Sequence, residues 1–220
     1  MATKCYLLGC DLGKSLDYTS FAVIEMVYDP EIKDLRYHLI GLDRIRGVDY
    51  PVVVDLIEKA ADSLEKKMHL YDSYPYGGPI LCMDASGLGA PIRDYLKAHN
   101  SFNQKGRRIY PVVFTGGEAA RYDMVTHNYN ISKSLIIGNF LSLMQHRRFD
   151  YAPDLEALPL LMKEIESFKY HLTASGHTGF DAEQGAHDDL ICAVCIPLII
   201  GEWRYNNHQK MKVGPKPAGW

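Results

Sequence analysis

The segment Gly9 to Ser20, GCDLGKSLDYTS, admits two interpretations. Its GKS ending is typical of a loop that grips phosphate, whereas Asp11, which follows the apolar run CYLLGC, is typical of a metal-binding carboxylate at a strand end. A phosphate-binding loop needs four residues between its first glycine and the Gly-Lys pair, but only Cys10, Asp11 and Leu12 separate Gly9 from Gly13. The residues that follow, TSFAVIEMV, predict a strand instead of the helix whose N-terminus would bind phosphate. We therefore predict a hairpin of two strands with Asp11 near its turn.

The composition predicts one globular domain. The chain has 220 residues, of which 47% are hydrophobic and 23% are charged, and its net charge is −3. No block of basic residues indicates nucleic acid, no apolar run is long enough to span a membrane, and the N-terminus lacks a signal-peptide pattern. Five cysteines, an odd number, argue against a disulfide framework and for a reducing compartment. The single C-x-x-C, Cys192 to Cys195, is flanked by apolar residues and predicts two buried thiols.

The apolar pattern predicts an α/β domain with a mixed sheet and helices on its faces. We expect one domain over residues 1–205 and a flexible basic tail over 206–220. The last helix should kink at Pro197. Predicted strands span residues 4–12, 20–28, 35–46, 79–83, 108–114 and 168–173, the last opening a hairpin. Predicted helices begin at Pro51 (inward stripe Val53, Leu56, Ile57, Ala60, Leu64, Met68) and at residues 90, 131 (inward Leu135, Ile136, Phe140, Leu143, Met144), 155 and 188.

Acidic residues stand where predicted elements meet turns. Asp11 closes the first strand, Asp84 closes the apolar strand PILCM, and Asp188 and Asp189 begin the last helix. Carboxylates in one cleft repel each other, and a divalent cation removes that cost. Oxygen ligands suit Mg²⁺ or Mn²⁺, so we predict a metal site. Helix capping by Asp188 and Asp189, or turn capping by Asp84, remains an alternative for each acid taken alone.

Four segments resemble the RNase H-like nuclease domain of phage large terminase subunits: GCDLGKSLDYTSFAVIE, ILCMDASGLGAPIRDYL, TGGEAARYDMVTHNYNISKSLIIGNFLSLMQHRRF and QGAHDDLICAVCIPL. The resemblance implies an RNase H-like sheet, with a three-stranded antiparallel meander plus parallel strands and helices on both faces. It implies an endonuclease that uses two divalent cations, Mg²⁺ or Mn²⁺, to cut concatemeric viral DNA during genome packaging. The family's catalytic, metal-binding acids correspond to Asp11, Asp84 and one or both of Asp188 and Asp189, with Asp189 the first choice.

The resemblance also implies partners. These are double-stranded DNA, an ATPase domain, the small terminase subunit and a portal ring, with the host cytoplasm as the location and no membrane. Family members usually carry the ATPase domain ahead of the nuclease, and this chain has no phosphate-binding loop. We therefore expect the chain to be an excised nuclease domain or half of a larger polypeptide.

Several further residues are candidates for DNA contact or accessory roles. Lys169 and His171 are placed beside the acids by the predicted hairpin, His187 precedes the acid pair, and Lys14 follows Asp11. Basic clusters around Arg107, Arg108 and Arg148 can bind DNA backbone, although such clusters are also common on solvated element ends. Two other functions stay open: a fragment of an actin-like or sugar-kinase-like ATPase, and a non-catalytic DNA- or portal-docking module of a viral motor.

Overall fold

The structure is a computed structural model that describes residues 4–13, 17–68, 78–87, 89–98, 107–116, 120–174 and 188–213. Its strands are β1 (Lys4–Asp11), β2 (Tyr18–Asp29), β3 (Asp34–Arg46), β4 (Ile80–Asp84), β5 (Arg108–Thr115), β6 (Ala120–Tyr122), β7 (Tyr129–Ser132) and β8 (Phe149–Tyr151). Its helices are α1 (Tyr50–Met68), α2 (Gly89–Ala98), α3 (Lys133–Gln145), α4 (Leu158–Ala174) and α5 (Asp189–Val213). Among the helices of these segments, none is long and apolar enough to cross a membrane.

The strands form one mixed sheet in the order β6-β7-β5-β4-β1-β2-β3-β8. Strands β1, β2 and β3 make the predicted antiparallel meander, and β4, β5 and β7 run parallel to β1. Strands β1 and β2, on either side of the GKS segment, pair antiparallel, so the hairpin interpretation of the opening stretch is confirmed. The sequence did not predict β6, β7 and β8, because runs of three or four residues are too short to show an alternating pattern.

Both faces of the sheet are covered by helices, as predicted. Alternate residues of a strand point to opposite faces. Leu8 and Cys10 of β1 therefore pack in a core under α1 and α2, while Leu7 packs in the larger core under α3, α4 and α5. Cys192 and Cys195 of α5 are buried free thiols within that larger core, which confirms their predicted role.

Three predicted side-chain orientations are wrong. Leu56 of α1 and Leu135 and Met144 of α3 were placed on inward stripes, but they are 37%, 36% and 38% exposed. Neighbouring positions are buried in their place, Val54 in α1 and Ile137 in α3. A helical stripe read from sequence can rotate by one residue, because the pattern leaves open which edge of the apolar arc meets the sheet.

Some element boundaries also differ. The predicted strand 168–173 is wrong, because α4 continues as helix to Ala174. Aromatic and β-branched residues there favour a strand locally, but a helix already packed through Leu161 and Ile165 gains a hydrogen bond with each added residue. Helix α3 begins at Lys133 instead of residue 131, capped by the Ser132 hydroxyl, which accepts from the Leu135 N–H at 3.3 Å. Helix α5 runs across Pro197 to Val213, past residue 205, where the domain was expected to end.

Candidate active site

Asp11 and Asp84 lie side by side at the carboxyl edge of the parallel strands. The register pairs Cys10 of β1 with Met83 of β4, so the two aspartates that follow stand level on adjacent strands. Adjacent strands are about 4.8 Å apart. An alanine at Gly89, where α2 begins, would place its Cβ 1.9 Å from the Asp84 carbonyl oxygen, so the chain turns tightly behind this aspartate. Ligand sites of open α/β sheets form at this edge.

A close approach of α5 to β1 brings the second pair of acids to the same place. A Cβ at Gly9 would stand 1.9 Å from the carbonyl oxygen of Ala193, so only glycine allows the helix to lie this near the strand. Asp11 is two residues beyond Gly9 and shares its face of the sheet. Asp189 is one helical turn before Ala193 and begins the helix. The contact therefore places the N-terminus of α5 over the end of β1.

The electrostatics show that the acids act on one another. Burial raises the pKa of Asp11 well above its ordinary value, and the charges of Asp84, Asp189 and Asp188 raise it further. Burial also raises the pKa of Asp84, although the Ser86 N–H, which donates to its Oδ1 at 2.8 Å, acts in the opposite direction. Carboxylates that oppose each other's ionisation form a site that favours a bound cation.

Lys133 brings a positive charge into this acidic site. Its ammonium group donates a hydrogen bond to Asp188 Oδ2 from the first residue of α3. Burial opposes the charge on Lys133, but its pKa is raised on balance by Cys192, Asp188 and Asp11. Lys133 was not predicted from the sequence, because Ser132, Lys133 and Ser134 together indicate only the start of a helix.

Glu164 of α4 is a fifth carboxylate that the sequence analysis missed. It is only 7% exposed, and its Oε2 accepts a hydrogen bond from the Ile191 N–H of α5 at 2.9 Å. Burial raises its pKa to about 7, and the charges of Asp189 and Asp188 contribute in the same direction. Its Oε1 is buried and has no hydrogen-bond partner within the part of the chain that is described. The sequence signal that could have identified it is a glutamate within the apolar stripe of a predicted helix.

The donor chemistry of the site fits a hard divalent cation. Four aspartates, Asp11, Asp84, Asp188 and Asp189, offer oxygen ligands, and Mg²⁺ and Mn²⁺ prefer such ligands. Beside Asp11, the buried Ser20 hydroxyl has no hydrogen-bond partner among the described residues. As the side chains stand, no group of three or more His, Cys, Asp or Glu residues in the described segments is arranged to hold a metal. The oxygen ligands of these aspartates therefore suit a hard divalent cation, although the described side chains are not arranged around one.

The accessory residues predicted from sequence have different outcomes. Lys14 and His187 lie outside the described residues. Lys169 and His171 belong to helix α4, so the hairpin that was expected to carry them beside the acids is wrong, and their side chains lie outside the described part.

The arginines of the two predicted basic clusters are engaged in ion pairs or lie away from the acids. The Arg107 side chain is fully buried and forms ion pairs with Asp62 and Glu65. Arg108 is exposed but pairs with Ile80 at the opposite end of β4 from Asp84. Arg148 is bound to Glu202 and Asp34 beside the far end of the meander.

The chain was compared with known proteins. No family profile matches it. Its sequence is similar to the large terminase subunits of Thermus virus P23-45, with 20% identity over 191 residues, and of Thermus phage G20c, with 22% identity over 192 residues. Both alignments cover 87% of this chain but only 30% of the relative, so the chain spans about a third of the length of the curated relatives it matches.

A solved structure shares the fold. The Mn-soaked nuclease domain of human cytomegalovirus terminase matches with a TM-score of 0.52 and 13% identity, over 90% of this chain and 83% of that one. The chain therefore has the RNase H-like fold of a terminase nuclease domain and a sequence similar to that of large terminase subunits, as the resemblance of its motifs predicted.

Proposed function

We propose that the chain is the nuclease domain of a large terminase subunit, an endonuclease that cuts concatemeric viral DNA during genome packaging. The observation that carries the proposal is the convergence of four aspartates at one edge of the sheet, where Gly9 lets α5 approach β1. The similarity to large terminase subunits supports the same activity.

The four aspartates would hold two divalent cations, Mg²⁺ or Mn²⁺. When bound, such a pair of ions activates a water and stabilises the leaving oxygen of a phosphodiester. A structural relative, the human cytomegalovirus domain, was soaked with Mn, which supports a divalent cation here.

The chain's own residues prepare the site for that chemistry. Hydrogen bonds from the Ser86 N–H and from the Ser86 side chain orient the Asp84 carboxylate. Glu164 holds the first turn of α5 through Ile191 and so positions the acid pair that precedes it. Lys133 neutralises Asp188, which lowers the repulsion that this acidic site presents to a DNA phosphate.

The partners follow from the proposed role. Double-stranded DNA is the substrate, and an ATPase domain, the small terminase subunit and a portal ring are the partners of a packaging motor in the host cytoplasm. With a net charge of −3, the chain itself should bind DNA weakly, and the rest of the motor would supply the local concentration.

Plasmid cleavage tests the proposal. The chain should nick or cut a plasmid with Mg²⁺ or Mn²⁺ and should be inactive in EDTA; Ca²⁺ can occupy oxygen ligands with a looser geometry and should support little turnover. Asp84→Asn should melt like the parent and lose activity, because an amide is a poorer ligand for a hard cation. Asp55→Asn is the matched control, since this aspartate lies on the surface of α1 in an ion pair with Lys59.

The outcomes separate the proposal from its alternatives. Cleavage that persists in EDTA, or at the parental rate in Asp84→Asn, would remove the metal-dependent nuclease. ATP hydrolysis by the parent without DNA cleavage would favour the ATPase fragment. DNA binding with neither activity would favour the docking module.

A further inference from the structure

The row of residues that contains Asp11 continues across the meander to a pair of arginines. Asp11 of β1 pairs with Ser20 of β2, and Ser20 pairs with Arg44 of β3. Residues paired across strands share a face, so Arg44 lies on the same face as the acids. Two strand spacings separate its Cα from that of Asp11, a distance of about 10 Å.

The electrostatics give the same placement independently of the register. The charge of Arg44 acts to lower the pKa of Glu164, while Asp188 and Asp189 raise it. Arg44 therefore faces the space between α4 and the sheet, next to the acid pair of α5.

A tyrosine holds this arginine and a second one in place. The guanidinium carbon of Arg44 is 4.1 Å from the centre of the Tyr18 ring, and that of Arg46 is 5.3 Å away. Both distances are within the range of a cation–π contact. Arg46 pairs with Tyr18 across the strands and is exposed, whereas Arg44 is half-buried. The three side chains form a surface, here called the arginine surface, that extends from the acids to the outer end of the β2–β3 pair.

We propose that the arginine surface binds the phosphate backbone of the DNA strand on one side of the cleavage point. This inference rests on the proposed function and assigns it a substrate-binding element. One strand of DNA rises about 3.4 Å per nucleotide, so a surface about 10 Å from Asp11 reaches phosphates a few nucleotides from the scissile bond. Arginine suits phosphate because its planar guanidinium offers several donors and remains charged.

The charge distribution explains why such a surface is needed. The four aspartates repel DNA. Of the predicted DNA contacts whose side chains the structure describes, Arg107 is buried in ion pairs and Arg108 lies at the other end of β4. Two arginines next to the acids offset that repulsion where the strand must enter.

The test measures binding separately from cleavage. A fluorescent duplex is titrated with the whole chain in EDTA at low salt and at several salt concentrations, with fluorescence anisotropy as the readout. The double variant Arg44→Gln/Arg46→Gln should bind at least tenfold more weakly. The magnitude of the slope of log affinity against log salt should decrease by about 1 to 2, since each phosphate contact contributes about 0.9 to it. Arg44→Gln alone is measured beside Arg36→Gln as the matched control: each removes one positive charge from the same strand, but Arg36 lies about 26 Å from Arg44 and pairs with Asp29.

Cleavage with Mn²⁺ and calorimetric Mn²⁺ binding complete the test. The double variant should raise KM with kcat near the parental value, and its Mn²⁺ affinity should be unchanged, because the arginines are not metal ligands. Equal weakening by Arg36→Gln, or an unchanged salt slope in the double variant, would overturn the inference even if the parent cuts DNA. A parent that binds DNA through these arginines but cuts nothing with any divalent cation would sustain the arginine surface and refute the nuclease.

Discussion

Replacing Gly9 with alanine tests whether the contact between β1 and α5 builds the site. The new Cβ would stand 1.9 Å from the Ala193 carbonyl oxygen and 2.9 Å from Pro197 Cγ. Non-bonded contacts of a Cβ essentially never fall below 3.0 Å, so strand and helix must separate by about 1.1 Å. The obstacle is helix backbone, which cannot rotate away as a side chain would.

The expected cost follows from that separation. Overpacking of a core costs about 1–3 kcal/mol, and more when the backbone must move. We therefore expect a loss of about 3 kcal/mol, which lowers Tm by about 6–12 °C in a domain of this size. A misplacement of about 1 Å at a catalytic group can cost about 100-fold in rate, so cleavage with Mn²⁺ should fall by about that factor.

Gly138→Ala supplies the matched control. Gly138 is exposed in the middle of α3, and nothing lies within 4 Å of an added Cβ. Alanine is the better helix former by about 0.5–1 kcal/mol, so this variant should melt slightly higher than the parent and cut DNA equally well. Calorimetric melting and Mn²⁺ titration of both variants check the prediction. A Gly9→Ala protein with parental Tm and parental Mn²⁺ affinity would refute the argument that this contact assembles the acids.

Three further predictions concern other features of the chain. Glu164 has its pKa raised from 4.5 to about 7, so it binds more protons in the folded state and its contribution to stability falls as the pH rises from about 4.5 to 7. Glu164→Gln should therefore gain on the order of 1 to 3 kcal/mol relative to the parent between pH 4.5 and 8 in metal-free buffer, and a difference in Tm that does not change with pH would contradict this. Arg107→Met should lower the free energy of unfolding by about 1–3 kcal/mol, because Asp62 and Glu65 lose their partner; the loss is limited because both carboxylates are partly exposed. DNA affinity should be unchanged. Weaker DNA binding without a lower Tm would contradict a purely structural role for this buried arginine. Cutting should show little sequence preference and should weaken steeply with salt, because binding rests on phosphate contacts; a single preferred cut site on a mapped plasmid would argue against it.

The sequence predicted those parts of the site that are encoded in short stretches. A carboxylate directly after an apolar strand is visible without any tertiary information, and Asp11 and Asp84 were both found in this way. Their mutual repulsion in one cleft, which a divalent cation removes, was the reason to expect that they share a metal site. The same local patterns identified the meander, the buried strand β4 and the helical start that follows Asp188.

The other charged side chains near the acids could be identified only in the folded protein. Lys133 binds Asp188 and Glu164 binds the first turn of α5, each from a helix distant in sequence, and Arg44 lies two strands away from Asp11 on the same face. A sequence gives the sign of a charge but not its partner, so Arg107 was predicted on the surface although two carboxylates of α1 hold it inside. The contacts that place these residues join segments far apart along the chain. The free energy of these contacts depends on packing and burial, which a local sequence pattern does not show.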